Sequence, residues 1–408
     1  MLAPMPAWAP DAPCAADDDC GDDLSREVYC VLGIGIDAIE MPAVLHRIRA
    51  AAATTAPFVV STPNLHFLVL SLTDREFRET VLDSDLCPTD GVPIVWIARL
   101  LGIPVKGRIA GSDIFQALKV DRSTARPVKA FLFGGAEGVA EAASRALNLA
   151  SGGLTCVGWV YPGFGTVAEM SADTVIDAIN ASGADFVVAS LGAEKGQRWL
   201  QRNHHRLRIP IRAHLGATLN FQAGTVRRAP AIVCKWGLEW LWRIKEEPHL
   251  WPRYWHDGTA LLRLLLTRVL PLAAATRWAR FSARRKEEAL FIKEAEGSEA
   301  VTLSLVGDAS ARYVDKAILS FRRALKAKKQ VIIDLGATRV IDARFLGLLL
   351  LLRKQLKLSG AGLRFTGSSP RLERLFRLNG ADFLLSTSSF ELTSFGVTRP
   401  QCRFSPLE

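Results

Sequence analysis

Short apolar runs that stop at a polar or glycine-rich turn recur along the first half of this chain, and a helical stripe follows most of them. Phe58–Val60 stops at Ser61-Thr62-Pro63-Asn64, Lys129–Phe133 at Gly134-Gly135-Ala136-Glu137-Gly138, and Leu154–Val160 at Tyr161-Pro162-Gly163. Phe186–Leu191 and Ile211–Leu215 likewise run into glycines. Between them lie helical patterns: Val44, Leu45 and Ile48; Val139–Leu149; Ser171–Ala181; and the segment with Trp199 and Leu200. Continuous apolar strands alternating with amphipathic helices admit few folds, because parallel strands need crossovers and both sheet faces must be covered. The expectation is an α/β fold, a Rossmann-like doubly wound parallel sheet. The run from Val28, with its turn at Gly35-Ile36-Asp37, reads as its first strand–helix unit.

In such a sheet the polar turns after the strands collect at the carboxyl edge, where ligands bind. Ser61 to Asp113 brings a hydroxyl (Thr62), an amide (Asn64), a carboxylate (Asp90) and a guanidinium (Arg108) to that edge. The set suits a proton acceptor beside a phosphate-bearing substrate. Each member also has a plainer reading. Asp90-Gly91 is a common turn pair, Asn64 a helix cap, and Arg108 a surface charge. The turn from Gly134 to Gly138 offers amides to a diphosphate, or simply lets helix and strand pack closely. Asp83-Ser84-Asp85 has the form of a metal-holding pair, but it sits at a helix end with nothing nearby to complete a ligand set, so a structural role is preferred. His204 and His205 read as solvated side chains, and Ser190 and the cysteines have no neighbouring base for nucleophilic work.

The formal charge of +10 and pI near 9.4 favour an anionic partner. The excess gathers in residues 236–286, with ten Lys/Arg against four Asp/Glu and six of the ten tryptophans. Its apolar stretch is interrupted by Arg263, Arg268 and Pro271, which argues against a spanning helix and for one lying in the headgroups of an anionic leaflet. An amphipathic helix packed on its own protein is the alternative. Nucleic acid is disfavoured, because the tryptophans cluster with leucines rather than interleaving with cations on an open groove. Seven scattered cysteines without a CxxC pair speak against zinc and against a disulfide framework, and for a cytoplasmic setting. The expected organisation is a loose tail over 1–26, a catalytic unit over 27–235, the basic appendage over 236–285, a linker over 286–298, a small α/β unit over 299–392 and a tail over 393–408.

Residues from about 30 to 255 resemble the WecG/TagA/CpsF glycosyltransferases of bacterial surface-polysaccharide synthesis. The resemblance runs through Thr62-Pro63-Asn64, Asp90-Gly91, Arg108-Ile109-Ala110-Gly111-Ser112-Asp113, Phe133-Gly134-Gly135 and Leu191-Gly192. It continues through Ala223-Gly224, Arg228-Ala229-Pro230, Gly237-Leu238-Glu239-Trp240-Leu241, Arg243, Glu247-Pro248 and Arg253-Tyr254. It implies an inverting transfer of a hexose or N-acetylhexosamine (N-acetylmannosamine, its uronic acid or glucose type) from a UDP-sugar to a sugar on a polyprenyl diphosphate. The protein would sit peripherally on the inner face of the cell membrane, with no metal or other cofactor. Asp90 would be the general base, with Thr62 and Asn64 shaping the pocket beside it. Arg108, Gly111, Asp113, Gly134, Gly135, Gln197, Arg228, Arg243 and Arg253 would bind substrate. Gln197 belongs to a departure: Glu194-Lys195-Gly196-Gln197 stands where the family usually has Pro-Lys-Gln-Glu. The appendage could cover its own active site or a neighbour's, which leaves a homo-oligomer open.

The C-terminal unit resembles a STAS domain through Val331–Leu335, Val340-Ile341-Asp342 running into Phe345-Leu346-Gly347-Leu348, and the segment Gly362 to Gly367. The family's usual Asp-Ser-Ser-Gly is here Asp342-Ala343-Arg344-Phe345, which leaves no hydroxyl for phosphorylation. The unit reads as a docking or regulatory module for a protein partner. A second function follows from it: a non-catalytic scaffold that recruits other assembly proteins through this domain.

Overall fold

The computed structural model describes residues 23–122, 126–150, 152–230, 233–234, 236–281 and 288–386. The expected tail therefore lies outside the described residues only as far as 22. Asp23–Ser25 forms a short helical turn with Leu24 fully buried, and Arg26 is buried too. The tail expected after residue 392 falls outside the description altogether.

The run from Val28 is not the first strand of the parallel sheet. It doubles back as an antiparallel hairpin, β1 (Val28–Val31) and β2 (Ile34–Asp37). Leu32 and Gly33 form the corner with φ of 50° and 95°, the left-handed pair of a tight hairpin turn. α1 (Met41–Ala52) then leads into the main sheet: β3 (Phe58–Val60), β4 (Val128–Gly134), β5 (Leu154–Val160), β6 (Phe186–Ser190) and β7 (Ile211–His214). Strand order is β3-β7-β6-β4-β5, and every pairing is parallel.

Alternate residues of one strand serve the two faces of this sheet. Ala130 and Leu132 of β4 join a core with α1, α5 (Gly111–Val120), α6 (Val139–Ala150) and α9 (Thr218–Ala223). Phe131 and Phe133 join the other, with α7 (Asp173–Ala181) and α8 (Ala193–Arg202), where Trp199 stacks on Phe133 at 4.2 Å. A third core gathers α2 (Leu65–Thr73), α3 (Arg75–Leu82), α4 (Val92–Leu100) and the appendage.

The appendage comprises α10 (Glu239–Glu246), α11 (Trp251–Leu264) and α12 (Leu270–Phe281), with α11 and α12 joined by a π-turn over Leu265–Val269. Pro271 does not break the helix; the wider turn just before it absorbs the missing amide. Pro248–Arg277 is thus one continuous stretch that is long and apolar enough to cross a membrane by length and composition, at a mean hydropathy of 1.4. Its Leu264, Val269, Leu272 and Ala273 are buried against the catalytic unit, while Trp251, Trp255, Leu262 and Leu266 are exposed.

The second unit begins earlier than its sequence pattern indicates. Within the expected linker, 286–287 lie outside the described residues, and β8 (Phe291–Glu296) pairs antiparallel with β9 (Ala300–Ala309). A mostly exposed edge strand with alternating charges carries no apolar run, so nothing in its sequence announces it. α13 (Val314–Lys326) packs on this sheet. β10 (Gln330–Asp334) lies between β9 and β12 (Leu363–Thr366), and β11 (Thr338–Ile341) pairs with β9. α14 (Ala343–Leu358) and α15 (Pro370–Leu378) complete the unit.

The two units share one core. Eleven of the sixteen residues of α14 are buried, a helix apolar nearly all round, because its own sheet covers one side and the β1–β2 hairpin the other. Backbones touch at this seam. A Cβ on Gly347 would lie 2.1 Å from Val28 O, and one on Gly33 2.5 Å from Gly380 O. The Arg344 side chain, in the segment that replaces Asp-Ser-Ser-Gly at the start of α14, donates to Val28 O at 3.1 Å.

Candidate active site

The carboxyl end of β3 sets the site. Asn64 caps α2, its Oδ1 accepting from the Phe67 amide at 3.1 Å, and Thr62 is buried in the turn before it. Leu86 lies beside Val60 in a parallel bridge and accepts from the Ser61 amide at 3.0 Å, so the strand-like segment that follows ends at the same edge. There the Asp90 amide donates to Pro63 O at 3.0 Å. Gly91, at φ 87°, then turns the chain into α4 in a conformation that favours glycine. Thr62, Asn64 and Asp90 thus form one corner.

The arginine turn is laced to that corner. The Ile109 amide donates to Thr89 O at 2.7 Å, and Thr89 Oγ1 donates to Gly107 O at 2.9 Å. Arg108 donates to Asp113 Oδ2 at 3.1 Å and, through its other terminal nitrogen, to Glu239 of α10. Arg228 donates to Asp113 Oδ1. Asp113 therefore holds two arginines side by side, and Glu239 brings the appendage over the site. Withdrawal from water pushes the Asp90 carboxyl up to about 7. Arg108 and the amides of Gly91 and Gly111 act against that rise, and the Glu239 carboxylate adds to it. A carboxyl balanced near neutrality beside a guanidinium can take a proton and face an anion.

Other sequence-derived positions land differently. Gly111 is needed where α5 starts, since a Cβ there would meet Leu215 Cδ2 at 3.0 Å. Gly134 and Gly135 sit at φ 102° and 81°; a Cβ on Gly134 would lie 2.6 Å from Ser190 O, and the Gly135 amide already donates to that oxygen at 2.8 Å. Close packing accounts for this turn, and the Gly135 amide is occupied. Gln197 faces inward: it is buried and donates to Ser61 Oγ at 3.0 Å, which supports the Thr62 turn from behind. Arg243 pairs with Glu247 at 2.6 Å, one helical turn beyond Glu239, and Arg253 lies over the Tyr254 ring at 4.9 Å.

His204 is not a solvated side chain. It is half-buried, with its ring nitrogen 3.0 Å from Nη1 of the buried Arg212. Ser190 donates to Gly216 O. Asp83 and Asp85 are held by lysines of the second unit, Asp83 by Lys357 at 2.6 Å and Asp85 by Lys354.

Two contacts were illegible in the sequence. His66 Nδ1, two residues past Asn64, lies 3.1 Å from both carboxylate oxygens of Asp257 in α11. Glu239 reaches Arg108 across 131 residues of chain. Pairings at such separation leave no local signal.

A model of the glycosyl transferase WecG/TagA/CpsF family matches residues 29–274, and a STAS domain model matches residues 293–393. The N-acetylglucosaminyldiphosphoundecaprenol N-acetyl-beta-D-mannosaminyltransferase of Bacillus spizizenii is 29% identical over 195 residues, 48% of this chain and 73% of the relative. The enzyme of the same name from Bacillus subtilis is 24% identical over 200 residues, 48% and 74% of the two chains. That from Staphylococcus aureus is 24% identical over 216 residues, 52% and 82%. Among solved structures, the phosphorylated form of the Bacillus cell fate determinant SpoIIAA matches 25% of this chain and 94% of its own, at 17% identity and a TM-score of 0.21.

Proposed function

The chain belongs to the WecG/TagA/CpsF family of glycosyltransferases, and on that premise we propose that it transfers a hexose or N-acetylhexosamine from a UDP-sugar to a sugar carried on a polyprenyl diphosphate. The relatives' names supply the acceptor class, an N-acetylglucosaminyl diphosphoundecaprenol. The observation that carries the reading is the Asp90 carboxyl, raised to about 7 and lying within the influence of Arg108 at the carboxyl edge of the sheet.

In this reading Asp90 accepts the proton of the acceptor hydroxyl as that oxygen attacks the anomeric carbon from the face opposite UDP. The new glycosidic bond forms, the bond to UDP breaks, and configuration inverts. Arg108, released from Glu239 or sharing it, meets the charge that grows on the departing diphosphate. Thr62 and Asn64 fix the corner that holds the hydroxyl near the carboxylate. The appendage closes the site through Glu239 and through the His66–Asp257 contact. Its exposed tryptophans and leucines, clustered on an appendage of net positive charge, support a place on an anionic leaflet at the inner face of the membrane.

The STAS-like unit bears on the scaffold alternative. Its α14 is covered by the catalytic unit's own hairpin, so recruitment through that helix would first require undocking.

The test is UDP release from a panel of UDP-sugars by the full chain, with a soluble polyprenyl-diphosphate-sugar analogue, against Asp90→Asn. Release that needs the acceptor and collapses in the variant is the expected result. Absence of release with every donor, from folded protein, would overturn the reading.

A further inference from the structure

A cavity of about 660 Å³ opens on the seam between the two units. None of Thr62, Asn64, Asp90 or Arg108 lines it. α3 contributes Arg75, Arg78 and Glu79; α14 contributes Arg353 and Lys357; β12 contributes Arg364; and Phe383 forms part of the wall. Five cations thus face one carboxylate.

That carboxylate is already committed. Glu79 takes Arg353 at 2.8 and 2.9 Å, and Lys357 turns to Asp83. Among the described residues Arg75, Arg78 and Arg364 have no ion-pair partner. The Arg78 guanidinium lies over the Phe383 ring at 4.0 Å, and its Nε is buried with no hydrogen-bond partner. Like charges drawn together around the half-buried Arg78 raise the free energy of the docked state, less so for the exposed Arg75 and Arg364, unless an anion enters between them. The volume falls in the range of small-molecule sites, which are common at domain junctions, and it exceeds what one phosphate fills. Phe365, Leu384 and Leu385 give the remaining space an apolar wall.

We propose that this cavity binds a soluble anion of nucleotide size carrying at least two phosphates, which bridge Arg75 and Arg78 of the catalytic unit to Arg364 of the STAS-like unit. The unpartnered Arg78 Nε and the guanidinium groups without a contact ion pair, with Arg78 countered at longer range by Glu79 and Asp382, are the recognition element, and the apolar wall takes the body of the ligand. Occupancy reaches the catalytic unit through α3. Its cap Asp74 and its Glu76 pair with Arg198 of α8, and α3 follows directly on the helix that Asn64 caps. The ligand would fasten the two units together without touching the transfer site.

The experiment is calorimetric titration and thermal unfolding of the full chain with ADP, inorganic pyrophosphate and adenosine at fixed ionic strength. ADP should bind and raise the melting temperature, pyrophosphate should bind more weakly, and adenosine should do neither. Arg364→Gln, a change at an exposed residue, should weaken ADP by about tenfold or more, and Arg78→Gln should do the same. Without ligand, Arg364→Gln should melt no lower than wild type, because it relieves repulsion. Arg108→Ala should leave ADP binding intact, which separates this site from the transfer site. Binding that survives Arg364→Gln unchanged, binding of adenosine as tight as ADP, loss of ADP binding in Arg108→Ala, or no binding of any probe at millimolar concentration would each overturn the proposal.

Discussion

Glu79 in α3 and Arg353 in α14 form a two-pronged ion pair at 2.8 and 2.9 Å, joining groups 274 residues apart in the chain. Lys354 and Lys357 extend the contact to Asp23, Asp85 and Asp83, so one end of α14 grips the catalytic unit by charge while its apolar length is buried in the shared core. The two units are packed as one body at this seam. The two carboxylates of Asp83-Ser84-Asp85 have their role here.

Arg353→Ala should therefore destabilise the whole chain and not merely free the C-terminal unit. With both partners mostly buried, the loss should be about 2–4 kcal/mol, below that of a fully buried pair. Chemical denaturation checks it, and a double-mutant cycle with Glu79→Ala should show coupling between the two.

The proposed role of Asp90 as general base fixes the expected pH behaviour of transfer. A base with a pKa of about 7 is mostly protonated at pH 5 and free at pH 8, so the rate should climb across that window and then level. Asp90→Asn should remove the climb and lower kcat by roughly a hundredfold to ten-thousandfold. The stability effect has the opposite sense. Because the folded pKa lies above 3.8, the native state binds the extra proton between about pH 4 and 7, and stability falls as pH rises through that range. Asp90→Asn should thus be more stable than wild type at pH 8, by about 1–3 kcal/mol, as thermal unfolding at pH 5 and 8 would show.

Glu239 raises the Asp90 pKa and holds Arg108. Glu239→Gln should shift the acidic limb of the pH–rate profile to lower pH, since a negative neighbour has been removed. A profile that moves upward or stays put would contradict this assignment.

The seam between the units tolerates no side chain where backbones touch. Gly347→Ala places a methyl group 2.1 Å from Val28 O and should cost more than about 3 kcal/mol. Gly258, inside α11 with open space around its position, is the control: Gly258→Ala should be neutral or stabilising by up to about 1 kcal/mol.

Membrane attachment should depend on the exposed apolar face of the appendage. Trp255→Glu with Leu266→Glu should abolish flotation with phosphatidylglycerol vesicles while leaving the melting temperature unchanged, because both side chains are exposed. Retained flotation would assign attachment elsewhere.

The amino-acid pattern alone determined the parallel sheet, its helices on both faces, and the corner of Thr62, Asn64 and Asp90. Those features are local: apolar runs of strand length, helical stripes and turn residues act within a few residues of themselves, and polar turns after parallel strands must share one edge. The second α/β unit was legible for the same reason, save for its charged first strand. What only the tertiary structure decided involves groups brought together from far along the chain. The first apolar run became a hairpin because α14 lies ready to cover it. The second half of the Glu194–Gln197 departure turned inward, with Gln197 reaching back to Ser61, while Glu194 and Lys195 stayed at the surface. Asp83 and Asp85 met lysines some 270 residues away, and Asp90 acquired its raised pKa from desolvation in its corner together with the charge of the distant Glu239. Desolvation and long-range pairing depend on what surrounds a residue in space, and a linear pattern carries no record of that.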